Sequence, residues 1–239
     1  MKFSVVSKKD GKRKTFYRLE DENGNMYFAK KYILDKENSV FMNEINALSL
    51  FSNYPFVPKI KSIDFENKMI VFDYIHGHSL REQIVDIDEA VEIILDLCDI
   101  LKIIHKKGYI FGDVKPSNIM VNDHVYLVDF ECLTKIGSKL NYASELYCSP
   151  YQKLDKTAIY QFDLYSLGLV FLELIIGYDK LKYIHDEGLL SEIQPNSIVL
   201  NLPIQINNII KKLLSISVQD NYSSVIELKN DLLKYLVGC

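Results

Sequence analysis

The residues most suited to catalysis lie in the segment 110–131, which reads IFGDVKPSNIMVNDHVYLVDFE. Asp113, Lys115 and Asn118 are close in sequence, and Asp129 follows a predicted hairpin. Phosphoryl transfer needs a carboxylate to orient the attacking hydroxyl, a cation near the moving group and hard oxygen ligands for Mg²⁺. A lone D-x-K-P-x-N segment is more often an Asp-led turn with a solvated lysine. The hairpin and the D-F-E that follow it favour phosphoryl transfer.

The elements that position this segment are a strand-rich first third and a helical remainder. The turn Asn23-Gly24 predicts a hairpin, and β-prone runs flank it. Predicted strands cover residues 3–6, 15–19, 26–32, 60–65, 68–74, 119–121 and 126–128. Apolar residues at helical spacing predict helices at 40–51, 90–105, 163–176, 204–214 and 223–236. This order indicates a small β-rich lobe followed by a larger helical lobe, with a boundary near residues 75–79.

Composition and charge exclude several classes of protein. The 239 residues are 48% hydrophobic and 25% charged, which is typical of a globular chain. A net charge of −4 argues against a nucleic-acid binder. The apolar run 164–177 contains Glu173 and is too short to cross a bilayer. Because charged residues already occur at positions 8–10, we expect no signal peptide. Four cysteines without C-x-x-C spacing indicate free thiols in a reducing compartment, so we expect a cytoplasmic protein without membrane partners.

The segment 110–131 resembles the catalytic and metal loops of the eukaryotic-type (Hanks-type) serine/threonine protein kinases, which read H-R-D-L-K-P-x-N and D-F-G. The resemblance covers nearly the whole chain, because other elements follow in the family's order. It implies an α+β, two-lobed protein-kinase-like fold, with a small antiparallel β-sheet N-lobe (1–75) that has one main helix. A larger, mostly helical C-lobe (76–239) completes one domain, 1–239. Asp113 and Lys115 are then catalytic, and Asn118 and Asp129 hold Mg²⁺.

The resemblance also implies which residues bind ATP. The sequence YFAKK at 27–31 resembles the V-A-I-K strand, which makes Lys31 the phosphate-binding lysine and Glu44 its ion-pair partner. Ala29 shares the face of Lys31 by the strand period of two, and it would sandwich the adenine with Met120. Phe72 would stand behind the adenine, and Ser144 would contact the catalytic Asp and Lys. Three further contacts are implied: the main chain of Asp73 and Ile75, and Gly11 in the phosphate-covering loop.

Two departures from the family pattern bear on function. Lys9 and Lys14 align with glycines of the phosphate-covering loop, and a lysine does not allow the close backbone approach that glycine allows. The loop either meets the phosphates with positive charge or is a solvated hairpin tip. Gly112 replaces the arginine that usually pairs with a phosphorylated activation loop, so we expect activity that is independent of that switch. Gly112 before Asp113 and Glu131 at the end of D-F-E also resemble the H-G-D and D-x-E sequences of atypical kinases and small-molecule phosphotransferases. The kinase-like domains of some lanthionine-forming peptide synthetases share the G-D and D-F-E pattern.

The leading hypothesis is therefore an ATP- and Mg²⁺-dependent serine/threonine protein kinase. Its substrate would be a protein or peptide hydroxyl, and its regulation would come from a partner protein. One alternative is a kinase for a small molecule or a dedicated biosynthetic peptide, suggested by Gly112 and Glu131. Another is a nucleotide-binding pseudokinase scaffold, suggested by Lys9 and Lys14.

Overall fold

The computed structural model describes residues 2–33, 38–81, 83–140, 144–188 and 202–238, with the backbone alone for Asn38. The described chain divides into two compact units. The first consists of Met1–His78 with Met120–Glu131, and the second of Ser79–Ile119 with Cys132–Cys239. The segment that follows the predicted catalytic loop therefore belongs with the N-terminal sheet.

An antiparallel sheet of five strands, ordered β1-β2-β3-β5-β4, forms the centre of the first unit. Its strands are β1 (Phe3–Asp10), β2 (Lys14–Asp21), β3 (Met26–Tyr32), β4 (Ile60–Asp64) and β5 (Met69–Asp73), and helix α1 (Asn38–Leu50) lies between β3 and β4 in sequence. The predicted turn between β2 and β3 is present. Gly24 adopts φ +82°, and the Asp21 carboxylate accepts hydrogen bonds from the N–H groups of Asn23 and Asn25.

The register of β2 and β3 decides which side chains share a face. Phe16 lies opposite Lys30, and Lys14 lies opposite Tyr32. Since strand side chains alternate between faces, these four residues and Phe28 project from one side of the sheet. The other side carries Ala29 in an apolar cluster with Leu19, Tyr27 and Val71. The sheet therefore separates a charged and aromatic face from an apolar one.

A short hairpin completes the first unit and leads the chain to Asp129. It is formed by β8 (Ile119–Val121) and β9 (Val125–Leu127). The side chain of Asn122 accepts a hydrogen bond from the N–H of His124 and closes the turn. Asp129 then adopts φ 70°, a left-handed conformation that is uncommon for residues other than glycine.

The second unit is mostly helical and surrounds one apolar helix. Its helices are α2 (Ile87–Lys106), α3 (Pro150–Leu154), α4 (Tyr160–Ile176), α5 (Tyr178–Asp186), α6 (Ile204–Leu213) and α7 (Val225–Leu236). Most residues of helix α4 are buried, which agrees with its mostly apolar sequence. At Gly168 a Cβ atom would lie 2.7 Å from Leu213 Cβ, so glycine permits the close approach of α6. None of the helices described here is long and apolar enough to cross a membrane.

The predicted long helices and the antiparallel sheet are confirmed, with small differences at their ends. Helices α3 and α5 were not predicted because each is short and has few apolar positions. The Ser149-Pro150 pair is nevertheless an N-terminal signal for α3, since Ser149 caps the N–H of Gln152 and proline occupies the first turn. Three short strands were also missed: β6 (His78–Ser79), β7 (Tyr109–Ile110) and β10 (Thr134–Lys135).

Candidate active site

Lys30, rather than Lys31, is the lysine that pairs with Glu44 in the first unit. Lys30 Nζ lies 2.6 Å from Glu44 Oε1 and 2.9 Å from Asp129 Oδ1. The assignment of Lys31 as the partner of Glu44 is corrected, because Lys31 lies on the opposite face of β3. Ala29 shares that opposite face and packs in the apolar cluster, so it is not on the face of Lys30. Phe28, two residues before Lys30, lies on the face of Lys30 instead.

Glu44 is held by two residues of β3 that share one face. The hydroxyl of Tyr32 donates a hydrogen bond to Glu44 Oε2, while Lys30 binds the other carboxylate oxygen. Glu44 and Lys30 are 0% and 5% exposed, which makes this a buried ion pair. Burial, and then the charge of Glu44, raises the pKa of Tyr32 well above its usual value. Tyr32 therefore remains protonated and can donate this hydrogen bond.

Lys14 connects β2 to the D-F-E sequence. Its Nζ lies 3.0 Å and 3.2 Å from the two carboxylate oxygens of Asp129 and 2.6 Å from Glu131 Oε2. Burial opposes the ionisation of Asp129, but the attraction of Lys30 and Lys14 outweighs it and holds the pKa of Asp129 below its usual value. The pKa of Glu131 is raised, first by burial and then by the charge of Asp129. Sequence reasoning identified Lys14 as unusual but missed these contacts.

The carboxylates of Asp129 and Glu131 are suitable ligands for Mg²⁺. Both supply the hard oxygen atoms that this ion prefers, and one or two carboxylates together with substrate phosphates commonly hold it. Within the described ranges there is no group of three or more His, Cys, Asp or Glu residues arranged to hold a metal by itself. The two carboxylates are therefore a partial donor set for a divalent cation, to which a bound phosphate would add ligands.

Three phenylalanine rings lie beside Lys30 on the same face of the sheet. The centroids of Phe16 and Phe28 are 6.0 Å apart in a stacked arrangement, and those of Phe28 and Phe72 are 6.4 Å apart. Lys30 Nζ is 5.7 Å from the centroid of Phe72. Phe72 thus lies beside Lys30, and its predicted place behind the adenine stays a prediction. Phe16 and Phe28 were missed as part of this surface, because the prediction placed Lys31, and not Lys30, on this face.

The other residues assigned to the nucleotide lie in the first unit as follows. Gly11 forms the β1–β2 turn, where its N–H donates to the carbonyl of Lys14 at 2.8 Å and a Cβ would lie 2.9 Å from that oxygen. Asp73 ends β5, and the Ile75 carbonyl accepts a hydrogen bond from the N–H of Gly77. Met120 lies in β8 and is partly buried. Their contacts with a nucleotide stay predictions.

The second unit assembles Asp113, Lys115, Asn118 and Ser144. Asp113 is 5% exposed, and its carboxylate accepts hydrogen bonds from the Ser144 hydroxyl at 2.6 Å and from Lys115 Nζ at 2.6 Å. Lys115 also donates to Ser144 Oγ at 2.8 Å. Asn118 Nδ2 donates to the Asp113 carboxylate at 3.0 Å, which leaves the amide oxygen of Asn118 as the atom suited to a metal. The predicted contact of Ser144 with both residues is present.

Buried Asp163 of α4 fixes the backbone immediately before Asp113. Its carboxylate accepts hydrogen bonds from the N–H groups of Phe111 and Gly112 at 2.8 Å and 2.9 Å, and His105 Nε2 lies 2.9 Å away. Gly112 has φ +82°, and a Cβ there would lie 2.6 Å from the carbonyl oxygen of Cys132. Glycine is therefore required at this position, and an arginine side chain does not fit this backbone.

Comparison with known proteins identifies the family of the chain and several relatives. Residues 10–235 match the family model for the protein kinase domain. A probable serine/threonine-protein kinase of Clostridium perfringens is 27% identical, over 91% of this chain and 36% of that protein. The serine/threonine-protein kinase PknB of Mycolicibacterium smegmatis is 28% identical, over 71% of this chain and 30% of its own length. A Wee1-like protein kinase of Oryza sativa is 31% identical, over 68% of this chain and 34% of that protein. The chain thus spans about a third of the length of these relatives.

Proposed function

The chain belongs to the protein kinase domain family, and on that premise we propose that it transfers the γ-phosphoryl group of ATP to a serine or threonine hydroxyl of a protein or peptide. Protein kinases use ATP and Mg²⁺ for this reaction. We take residues 1–75 as the N-lobe and 76–239 as the C-lobe of one domain. We also place the protein in the cytoplasm, without nucleic-acid or membrane partners and under the control of a partner protein.

The main support for this proposal is that Asp113 and Lys115 both bind one hydroxyl group, that of Ser144. The Ser144 hydroxyl donates a hydrogen bond to the Asp113 carboxylate at 2.6 Å and accepts a hydrogen bond from Lys115 Nζ at 2.8 Å. An attacking substrate hydroxyl needs the same two groups, a carboxylate within reach of its proton and a cation beside its oxygen. Asp113 is held in this orientation by Asn118 and by the loop that Asp163 anchors. The pair is therefore preorganised to orient an aliphatic hydroxyl.

Residues of the first unit are assigned to the nucleotide. Lys30, held by Glu44, binds the phosphates in place of the predicted Lys31. The carboxylate oxygens of Asp129 and Glu131 are the donors of this unit suited to Mg²⁺, which would neutralise phosphate charge when bound. Asn118 of the second unit keeps its predicted assignment to the metal. The rings of Phe16, Phe28 and Phe72 form an apolar surface beside Lys30 that can contact the adenine ring of ATP.

We propose that activity does not depend on phosphorylation of the activation loop. The family's arginine for that phosphate is absent, and the close contact of Gly112 with Cys132 leaves no space for a side chain. A phosphatase-treated sample should retain its rate of transfer, and a large loss of rate would contradict this proposal.

A nucleotide-binding scaffold is the second candidate function. The observation that favours it is the engagement of Lys14 with both Asp129 and Glu131, the carboxylates assigned to the metal. Nucleotide binding without transfer to any protein, peptide or small molecule would support the scaffold. Transfer only to a small molecule or to one dedicated peptide would instead support a kinase for a small molecule or a dedicated biosynthetic peptide.

The test is incubation of the purified chain with labelled ATP and Mg²⁺, alone and with a generic basic protein. Asp113→Asn should reduce transfer by at least about 100-fold, because it removes the base that accepts the substrate proton. Asp123→Asn is the matched control, since Asp123 is exposed in the β8–β9 turn, and it should leave transfer unchanged. Undiminished transfer by the Asp113→Asn variant would overturn the role of Asp113.

A further inference from the structure

A lysine of the β1–β2 hairpin, Lys14, contacts the two acidic residues Asp129 and Glu131. Lys14 is the first residue of β2, and its ammonium group contacts both carboxylates, 115 and 117 residues away in sequence. The side chain is 10% exposed, whereas a solvated lysine at a hairpin tip would be largely exposed. Lys14 therefore lies in an organised site.

The backbone and the neighbouring side chains fix the position of Lys14. It pairs with Tyr32 across β2 and β3, and its Nζ lies 5.6 Å from the centroid of that ring. Its carbonyl accepts the hydrogen bond from the N–H of Gly11 that closes the β1–β2 turn. The backbone of Lys14 is thus part of the turn at residues 11–14, and its side chain packs beside Tyr32.

Lys14 is in close contact with both Asp129 and Glu131, whereas the other cations nearby, Lys30 and Arg13, each approach one of them. Lys30 contacts Asp129 and also neutralises Glu44. Arg13 approaches Glu131 only to 3.8 Å. Lys14 is within 3.2 Å of both acidic residues, so removal of its charge would leave the pair under-neutralised.

We propose that the ammonium group of Lys14 is a built-in counter-ion of Asp129 and Glu131, and that a divalent cation must displace it in order to bind. Metal binding then releases Lys14 and loosens the turn at residues 11–14. The inference rests on the proposed function insofar as that function assigns Asp129 to the metal. It adds that the affinity for the divalent ion is limited by the chain's own lysine.

The first test measures Mn²⁺ binding without nucleotide, by electron paramagnetic resonance of free Mn²⁺, with Mg²⁺ as competitor. Lys14→Met should bind Mn²⁺ at least about tenfold more tightly than the wild type, because a competing cation and its repulsion are removed. Lys9→Met is the matched control: Lys9 is exposed on β1, and its loss changes the net charge equally without altering the affinity. Lys14→Arg, which keeps the charge, should stay near the wild type.

Equal or weaker Mn²⁺ affinity in Lys14→Met would overturn the proposal. So would a tighter affinity that persists in the double variant Lys14→Met/Asp129→Asn, because the ion would then bind elsewhere. A second measurement needs no variant. Saturating Mn²⁺ should accelerate amide hydrogen exchange at residues 11–14 of the wild type, and unchanged exchange there would contradict the release of the turn.

The binding readout separates this inference from the kinase activity. If Lys14→Met binds Mn²⁺ more tightly and the wild-type chain transfers no phosphate, the role of Lys14 as counter-ion is supported and the proposed reaction is refuted. Normal phosphoryl transfer with unchanged Mn²⁺ affinity would do the reverse.

Discussion

Substitution of two adjacent lysines of β3 tests the central feature of the first unit. Lys30→Met removes the charge that lies between buried Glu44 and Asp129. Lys31→Met makes the same chemical change one residue later, on the face that carries Ala29. We expect the first substitution to destabilise the chain strongly and the second to have little effect.

The magnitude follows from the burial of the pair. Loss of one partner from a buried ion pair costs about 3–5 kcal/mol, because the other charge stays buried without compensation. Glu44 keeps its hydrogen bond from Tyr32, and Asp129 keeps Lys14, so we expect the lower end, about 3 kcal/mol, for Lys30→Met. Lys31 is partly exposed, and Lys31→Met should change the free energy of unfolding by less than about 0.5 kcal/mol.

Urea unfolding followed by circular dichroism measures both values, since the chain has no tryptophan to report by fluorescence. A double-mutant cycle with Glu44→Gln isolates the pair, and we expect a coupling energy between Lys30 and Glu44 of about 1–3 kcal/mol. The same variants, assayed with labelled ATP, should show loss of transfer for Lys30→Met alone. A larger destabilisation by Lys31→Met, or the absence of coupling between Lys30 and Glu44, would refute the register of β3 described above.

Two other predictions concern the second unit. Gly112→Ala should cost more stability than Gly137→Ala, because both glycines have φ +82° but only at Gly112 does the new Cβ meet an atom, the Cys132 oxygen at 2.6 Å. The left-handed conformation alone costs about 1–2 kcal/mol, so urea midpoints that fall equally for the two variants would contradict the steric argument. Burial, and then the charge of Asp231, raises the pKa of Tyr222, so above pH 10 the unfolded state loses this proton while the folded state keeps it. Stability should therefore fall as the pH rises above 10, and it should fall less steeply in Tyr222→Phe; identical slopes in alkaline urea titrations would exclude this contribution.

The features that could be predicted are those in which the interacting residues are close in sequence. Asp113, Lys115 and Asn118 belong to one loop, so their types and spacing already indicate a carboxylate, a cation and an amide side by side. The Asn23-Gly24 turn and the apolar periodicity of the long helices are equally local. Local hydrogen bonding and the alternation of apolar residues decide such elements, which is why their predicted positions agree with the structure to within a few residues.

The choice between Lys30 and Lys31 could not be made from local sequence. The motif Y-F-A-K-K matches the family's strand with alanine two residues before Lys31, and both lysines are equally suited to a strand. A shift of one residue reverses the face on which every side chain lies. Burial of Ala29 with Leu19 and the position of Glu44, 14 residues beyond Lys30, decided the matter.

The sequence by itself therefore determined the family, the order of the elements and the loop that holds Asp113. Tertiary structure alone decided which lysine pairs with Glu44 and that Lys14 reaches Asp129 and Glu131, more than a hundred residues away. The physical reason is that a pairing between distant charges depends on strand register, on burial and on the path of the intervening chain. None of these is encoded in the spacing of a short motif.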